Sequence, residues 1–283
     1  MALRVTPEEM RSLAQLIKSI SGIHLDDTKA YLVESRLTAL VLETACTTFG
    51  DLCSKARADA SHALQRKIID RITTGETSFF RDNAPFELLK HKIIPELIDR
   101  QTRAAGGRRP VNLRIWSAAC STGQEVYTIA IVLKELLGEQ PGYSIRLLGT
   151  DLSDKAVAAA SRGEYNKNEI ERGLPPEKLA RYFTPTPTGW KVRDELRAMA
   201  SFRTANLMED QSALGRFDII FCRNVAIYFT EPDRAAVFRR IGRLLEPDGC
   251  LIIGSTESLT GLCPEFEPQR HLRSVFYRLK PAA

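Results

Sequence analysis

Several things are missing from this chain, and each absence narrows what it can be. No stretch of its 283 residues is apolar over the length of a membrane span. The opening residues Met1 to Arg4 lack the apolar core of a signal peptide and run directly into a helix start. The expectation is a cytoplasmic protein with no membrane insertion. Cys-x-x-Cys pairs are absent: Cys46, Cys53, Cys120, Cys222, Cys250 and Cys263 are scattered, which argues for reduced, buried thiols and against a disulfide framework or structural zinc. Histidine is scarce, with only His24, His62, His91 and His271, none at a predicted strand tip. There is no Gly-x-Ser-x-Gly elbow, no Gly-x-Gly-x-x-Gly fingerprint and no phosphate-cradling loop with lysine. Hydrolase-elbow chemistry, NAD and ATP are therefore disfavoured, and no metal is expected. A net charge of +5 is too small an excess to imply nucleic acid, although it favours an acidic protein surface.

What is present is organised around Leu113 to Glu125. A short apolar run ends in small residues, Ser117 to Gly123, and an amphipathic segment follows from Val126 to Leu137. That pattern predicts a strand, a tight turn and a helix whose free N–H groups can meet a ligand. Before it, residues 1–72 read as all helical. Thr6-Pro7-Glu8-Glu9 forms a capping box with proline at the first helical position. A second helix opens at Asp26-Asp27, with Tyr31, Leu32, Leu37, Leu40 and Val41 as its buried side and Lys29 and Arg36 on its polar face. Further helices run through Leu52 and over Ala63 to Ile72. Residues 73–83 break this pattern with a polar, hydroxyl-rich stretch that ends Phe79-Phe80-Arg81-Asp82, and the next helix begins near Asn83.

After residue 110 strands and helices alternate. Strands are predicted at Ser144–Thr150, Ala200–Leu207, Phe217–Cys222, Cys250–Ile253 and Val275–Leu279. The expected architecture is α/β, a mostly parallel Rossmann-like sheet with helices on both faces, preceded by the all-α domain. Residues 182–200, with a strand or hairpin from Trp190 to Leu196, read as a small β insertion. Ligands of such sheets lie at the carboxyl ends of the strands. Those ends carry Ser117–Glu125, Asp151, Asn206–Leu207 and Cys222–Tyr228.

One glycine turn, a carboxylate at the helix start and another at the second strand tip suit a nucleoside that carries an amino acid and little or no phosphate. S-adenosylmethionine has that shape, and its cationic sulfonium is helped by nearby carboxylates. Methyl transfer to an adenine amine is disfavoured, because Arg223 to Phe229 replaces the Asn/Asp-Pro-Pro-aromatic motif of such enzymes.

Four separated segments, Thr73–Asp82, Trp116–Tyr127, Gly149–Ser153 and Phe217–Phe229, together resemble the chemotaxis receptor methyltransferase family, CheR, along essentially the whole chain. The resemblance implies a class I S-adenosylmethionine-dependent methyltransferase that esterifies specific glutamates on the cytoplasmic helical domain of chemoreceptors and releases S-adenosylhomocysteine. It places Gly75, Thr77, Arg81, Glu125, Asp151, Asn206, Leu207, Arg223 and Asn224 at cofactor-contact positions. Asp151 would take the ribose hydroxyls, and Asn206 and Leu207 the adenine. Glu125, Arg223 and Asn224 would line the methionine and nucleoside side. Arg81 and Tyr228 would hold the incoming carboxylate. The family usually has Asn where this chain has Gly75, so a side-chain contact is lost there. The N-terminal helices would dock on the receptor, with Lys29 and Arg36 facing acidic surface. In some members the β insertion binds a tethering peptide of the receptor; the short Pro/Thr-rich turn at 184–189 argues against it here. Two other readings compete: a methyltransferase of small carboxylic acids with a helical lid, and a regulatory module that binds S-adenosylhomocysteine or a receptor and transfers nothing.

Overall fold

The computed structural model describes residues 3–104, 106, 111–138 and 142–281. Four helices come first: α1 (Pro7–Ser21), α2 (Ala30–Glu43), α3 (Phe49–Ala58) and α4 (Ala63–Ile72). Thr6 and Glu9 close the expected capping box on α1, and Thr48 and Asp51 close another on α3. Glu9 also accepts the Gly50 N–H at 2.8 Å, so one carboxylate serves two helix starts. Leu13, Ile17, Val33, Leu37, Val41, Phe49, Leu52 and Ile68 form the sealed interior of this bundle.

Two details of α2 differ from the sequence reading. Asp26 caps a short 3₁₀ turn, and the α-helix begins only at Ala30. Tyr31 is 63% exposed and Val33 is buried in its place. The 3₁₀ turn rotates the helical face relative to a stripe counted from Asp27.

A longer helical stretch follows: α5 (Ala84–Leu88), a π-helical turn at Leu89–Ile93, and α6 (Ile94–Ala104). The α/β portion then runs β1 (Val111–Ala118), α7 (Gln124–Leu137), β2 (Tyr143–Asp151), α8 (Asp154–Arg162), β3 (Glu164–Tyr165), α9 (Lys167–Glu171), α10 (Pro176–Tyr182), β4 (Phe183–Thr186), β5 (Gly189–Val192), α11 (Asp194–Arg197), β6 (Ala200–Thr204), β7 (Phe217–Cys222), α12 (Glu231–Arg243), β8 (Leu245–Ile253), β9 (Phe266–His271) and β10 (Ser274–Leu279).

Seven strands form one sheet in the order β6-β2-β1-β7-β8-β10-β9. Five pair in parallel, and β10 runs antiparallel to both neighbours. Continuous apolar runs are what a sheet covered on both faces requires. Alternate residues go to opposite layers: Ile115, Ile219 and Phe221 pack under α7, while Trp116, Ile220 and Cys222 pack under α12. From β1 the chain moves outward to β2 on one side and later returns to β7 on the other. The β1/β7 seam is therefore the switch point where such folds open a ligand crevice.

The β insertion is larger and placed earlier than the sequence suggested. Glu164–Tyr165 joins it, giving a three-stranded antiparallel sheet β3-β5-β4. Strand β5 stops at Val192, and Asp194–Arg197 is a helical turn rather than the rest of a hairpin. Edge strand β9 carried no alternating apolar pattern to announce it; five of its six residues are polar or proline. All six cysteines are free, and all but Cys46 are buried. No described helix is long and apolar enough to cross a membrane.

Candidate functional site

The strand tips at the switch point are level with one another, because Ala118 pairs with both Thr150 and Cys222, and Asp151 with Thr204. Above them lies a cleft of about 360 Å³. The turn leaving β1 reaches α7 through left-handed residues Ala119, Ser121 and Gly123. Gly123 is required twice over. Its φ is +92°, and an added Cβ would lie 2.8 Å from the Ala160 Cβ. This turn aims the Ser121 N–H at Asp151 Oδ2 (2.8 Å), while the Ser153 N–H meets Oδ1 (3.0 Å). Burial pushes the Asp151 carboxyl above its ordinary range, and these backbone bonds only partly offset it. Burial also raises the neighbouring Cys120 thiol well above its usual value, helped by the negative charges of Asp151 and Glu125.

Glu125 stands in the first turn of α7, where the helix dipole favours a carboxylate. Its Oε1 accepts from Ser117 Oγ and its Oε2 from Arg223 Nη1, both at 2.8 Å. Arg223 Nη2 bonds the Arg81 carbonyl (2.9 Å) and Asp82 Oδ2 (3.1 Å), and the guanidinium lies over the Phe86 ring. The side chain of Arg223 is 2% exposed. Arg223 thus spends its charge-assisted bonds on protein carboxylates, clamping the 81–82 segment and Glu125 to the strand tips; its Nε is buried without a partner among the described residues.

The segment 73–83 is held from below by its two phenylalanines. Phe79 is 1% exposed and packs edge-on against Tyr165 (5.0 Å) and Phe183 (5.5 Å). Burying such a ring is worth about 1.5–3 kcal/mol. Close beneath it, a Cβ on Gly173 would meet the Phe79 carbonyl oxygen at 2.2 Å, at a φ of +104°. Phe80, itself left-handed, donates its N–H to Thr128 Oγ1 on α7 and packs against Phe86. So anchored, Arg81 borders the cleft with one nitrogen bonded to the Glu76 carbonyl (3.0 Å) and no ion-pair partner among the described residues. Tyr228 borders the same cleft, and its hydroxyl has no partner among the described residues.

All ten residues singled out from the sequence, Gly75, Thr77, Arg81, Glu125, Asp151, Asn206, Leu207, Arg223, Asn224 and Tyr228, line this one cleft. They do not all offer side chains to it. Asn206 Nδ2 is turned to the Ile20 carbonyl (3.1 Å), and its Oδ1 accepts the Met208 N–H (3.0 Å). At Gly75 the carbonyl accepts from Ser121 Oγ (3.0 Å), and an added Cβ would sit 3.4 Å from that oxygen. That is ordinary contact, so the backbone leaves room for a Cβ there.

Other contributors were not read from the sequence. The N-terminal bundle supplies Ser21, Ile23, Leu25 and Leu32 as the opposite wall. It is joined to the sheet side by His24 N–H to the Tyr228 carbonyl (2.9 Å) and by Ser153 Oγ to Asp70 Oδ1 (2.6 Å). Arg36 bonds the Ile72 carbonyl and Thr74 Oγ1, and so ties α2 to the start of the 73–83 segment. Lys29 is exposed. Glu257 accepts the N–H groups of Asn224 (2.8 Å), Ala226 (3.1 Å) and Gly254 (2.8 Å), which fixes the left-handed Asn224 and the turn that carries Tyr228. The strand-tip rule could have found Glu257, four residues past β8. Nothing local could have found the bundle wall.

Comparison with known proteins bears on the same residues. Residues 8–73 match the CheR methyltransferase all-alpha domain, and residues 75–273 match the CheR methyltransferase SAM binding domain. The chain is 38% identical to chemotaxis protein methyltransferase 1 of Vibrio cholerae, over 99% of both chains. It is 38% identical to chemotaxis protein methyltransferase 1 of Pseudomonas aeruginosa, over 93% of this chain and 95% of that one. With the Salmonella typhimurium chemotaxis protein methyltransferase the identity is 35%, over 93% and 88%. Two domain matches in tandem and relatives alike from end to end leave one assignment: this chain belongs to the CheR family of S-adenosylmethionine-dependent chemotaxis methyltransferases.

Proposed function

We propose that this chain methylates the side-chain carboxylate of specific glutamates in the cytoplasmic helical domain of chemoreceptors, producing glutamyl methyl esters and S-adenosylhomocysteine and so serving adaptation of a chemosensory pathway. The observation that carries this reading is that Arg81, a guanidinium with no ion-pair partner among the described residues, and Tyr228, whose hydroxyl has no partner among them, border the same cleft. An incoming carboxylate satisfies both.

The residues present fit the donor. Asp151, raised by burial, gains from hydroxyl donors that favour its ionised form. Glu125 puts negative charge where a cation is welcome. The small residues of the turn leaving β1, Ala119, Cys120, Ser121 and Thr122, line the cleft and let a ligand approach the start of α7. When bound, S-adenosylmethionine supplies an electrophilic methyl carbon, and its departure leaves the C–S electron pair on sulfur.

The protein's own task is small and geometric. A glutamate with a pKa of about 4.3 is already ionised at neutral pH, so no proton has to be removed. That suits a cleft with no histidine side chain in its lining. Arg81 and Tyr228 orient the attacking oxygen, and alignment of this kind lowers a barrier by converting a bimolecular encounter into an intramolecular one. Arg223 acts at one remove, by holding Glu125 and the Arg81 backbone. The bundle wall excludes water from the donor. Asn206 and Leu207 flank the nucleoside end, and Thr77 and the Gly75 backbone lie on the linker side.

The test is incubation with radiolabelled S-adenosylmethionine and receptor-bearing membranes. Base-labile label on the receptor is the expected result. Label confined to small carboxylic acids, or tight S-adenosylhomocysteine binding with no transfer to any acceptor, defeats the proposal.

A further inference from the structure

A second cleft, of about 540 Å³, lies next to the first. The two share a partition. Asp82 faces the second cleft while its carboxylate bonds Arg223 of the first, and Glu257 does the same for Asn224. The far side of the second cleft is the β9–β10 hairpin, whose two-residue turn is Leu272-Arg273. That hairpin is pinned in place, since Ser274 Oγ donates to the Ala84 carbonyl (3.0 Å) at the start of α5, three residues after Arg81.

The charges in this cleft do not balance. Asp82 is committed to Arg223, and Glu257 to three backbone N–H groups. Arg270 and Arg273 are exposed, and their side chains have no hydrogen bond or ion pair among the described residues. Their neighbours are apolar and also uncovered: Val275 is 39% exposed and lines the cleft, and Leu272 is 86% exposed at a φ of +51°, a conformation uncommon for a leucine. Two unanswered cations beside exposed apolar side chains fit a polypeptide that presents carboxylates next to apolar residues.

We propose that the second cleft is a docking site for an acidic stretch of the protein substrate: when the target glutamate enters the first cleft, carboxylates flanking it in the same chain rest on Arg270 and Arg273, with Leu272 and Val275 as the apolar footing. This rests on the protein-glutamate reading above and adds which part of the surface selects the substrate. Charges at the rim of an interface act chiefly on encounter and its salt dependence.

The full chain is assayed with a receptor cytoplasmic fragment, with KM for the fragment and S-adenosylhomocysteine affinity measured separately. In the R270E/R273E variant, KM for the fragment rises about tenfold and loses its salt dependence, while S-adenosylhomocysteine affinity is unchanged. R270K/R273K stays near the unsubstituted value. Retained S-adenosylhomocysteine affinity certifies that the charge-reversed protein is folded; if it is lost, R273E alone is read in the same way. An unchanged KM in a variant that binds S-adenosylhomocysteine overturns the docking site, and so does arginine-dependent binding to phosphatidylserine vesicles with no effect on the fragment. Failure of the unsubstituted chain to methylate any receptor fragment is a different result: it removes the protein-glutamate reading itself, and the docking site with it.

Discussion

The two walls of the first cleft are built in opposite ways. The sheet-side wall is made of strand tips and the turns that leave them: Ser121, Glu125, Asp151 and Asn224 come from segments that each end at the same rim. Its polar groups are fixed by bonds within the sheet domain, such as Ser121 N–H to Asp151 and three N–H groups to Glu257. The bundle-side wall is largely apolar, from Ile23, Leu25 and Leu32, and reaches the sheet side through hydrogen bonds at His24, Asn206, Asp70 and Arg36 and through ion pairs from Lys18 to Asp233 and from Arg66 to Asp154. Chemistry that demands orientation sits on the rigid wall or on the 73–83 segment clamped to it. The bundle wall is held by contacts separate from one another, an arrangement in keeping with the proposed need to admit a donor and then shield it.

The sharpest way to break that contrast is at the junction. Arg81→Ala should lower kcat about a hundredfold or more, because the acceptor carboxylate loses its aim, while S-adenosylhomocysteine affinity changes far less. Near-normal methylation would remove Arg81 from the chemistry. Next comes the rigid wall. Asp151→Ala should weaken S-adenosylhomocysteine binding by roughly 1.5–3 kcal/mol; unchanged affinity by calorimetry would detach Asp151 from the nucleoside. On the bundle wall the effect should be smaller. Asp70→Ala removes the acceptor of Ser153 Oγ and of the Lys155 N–H, and should cost roughly 1 kcal/mol of ligand affinity, with the acceptor KM unaltered. A loss equal to that of Asp151→Ala would mean the two walls are equally committed.

The smallest effect is on pH. The Asp151 carboxyl is held above its ordinary range, chiefly by burial. Its protonated form therefore accumulates at a higher pH than an exposed aspartate's would. Donor affinity should be full at neutral pH and fall on acidification, beginning above the usual aspartate range, and Asp151→Asn should flatten that dependence. The stability of the ligand-free protein should move the other way, since a raised carboxyl favours the folded state as the pH falls through the raised value. Calorimetry and thermal melts across acid pH read the two signs.

Much of this was open to a reader of the chain alone. The apolar run and small-residue turn at Leu113–Gly123 could hardly be anything but strand, turn and helix, because a sheet covered on both faces needs unbroken hydrophobic strands. The hydroxyl-rich segment ending in two phenylalanines broke the helical pattern in the sequence, and Phe79 within it is buried to 1%. Less could be read where short polar elements depend on neighbours. Strand β9 exists because β10 offers it an edge, and Glu164–Tyr165 is a strand because β5 pairs with it.

Local residue pattern by itself determined the helical bundle and the parallel sheet, since periodicity, caps and turn chemistry act over a few positions and need no partner; the ten candidate site residues came from the resemblance to the CheR family. Tertiary structure alone decided what those residues do with their side chains: that Arg223 turns to Glu125 and Asp82, that Asn206 turns to Ile20, and that α1 and α2 wall the cleft. Such choices are made between groups far apart in sequence that become neighbours only once the chain has packed, and hydrogen-bond partners are settled by distance in space.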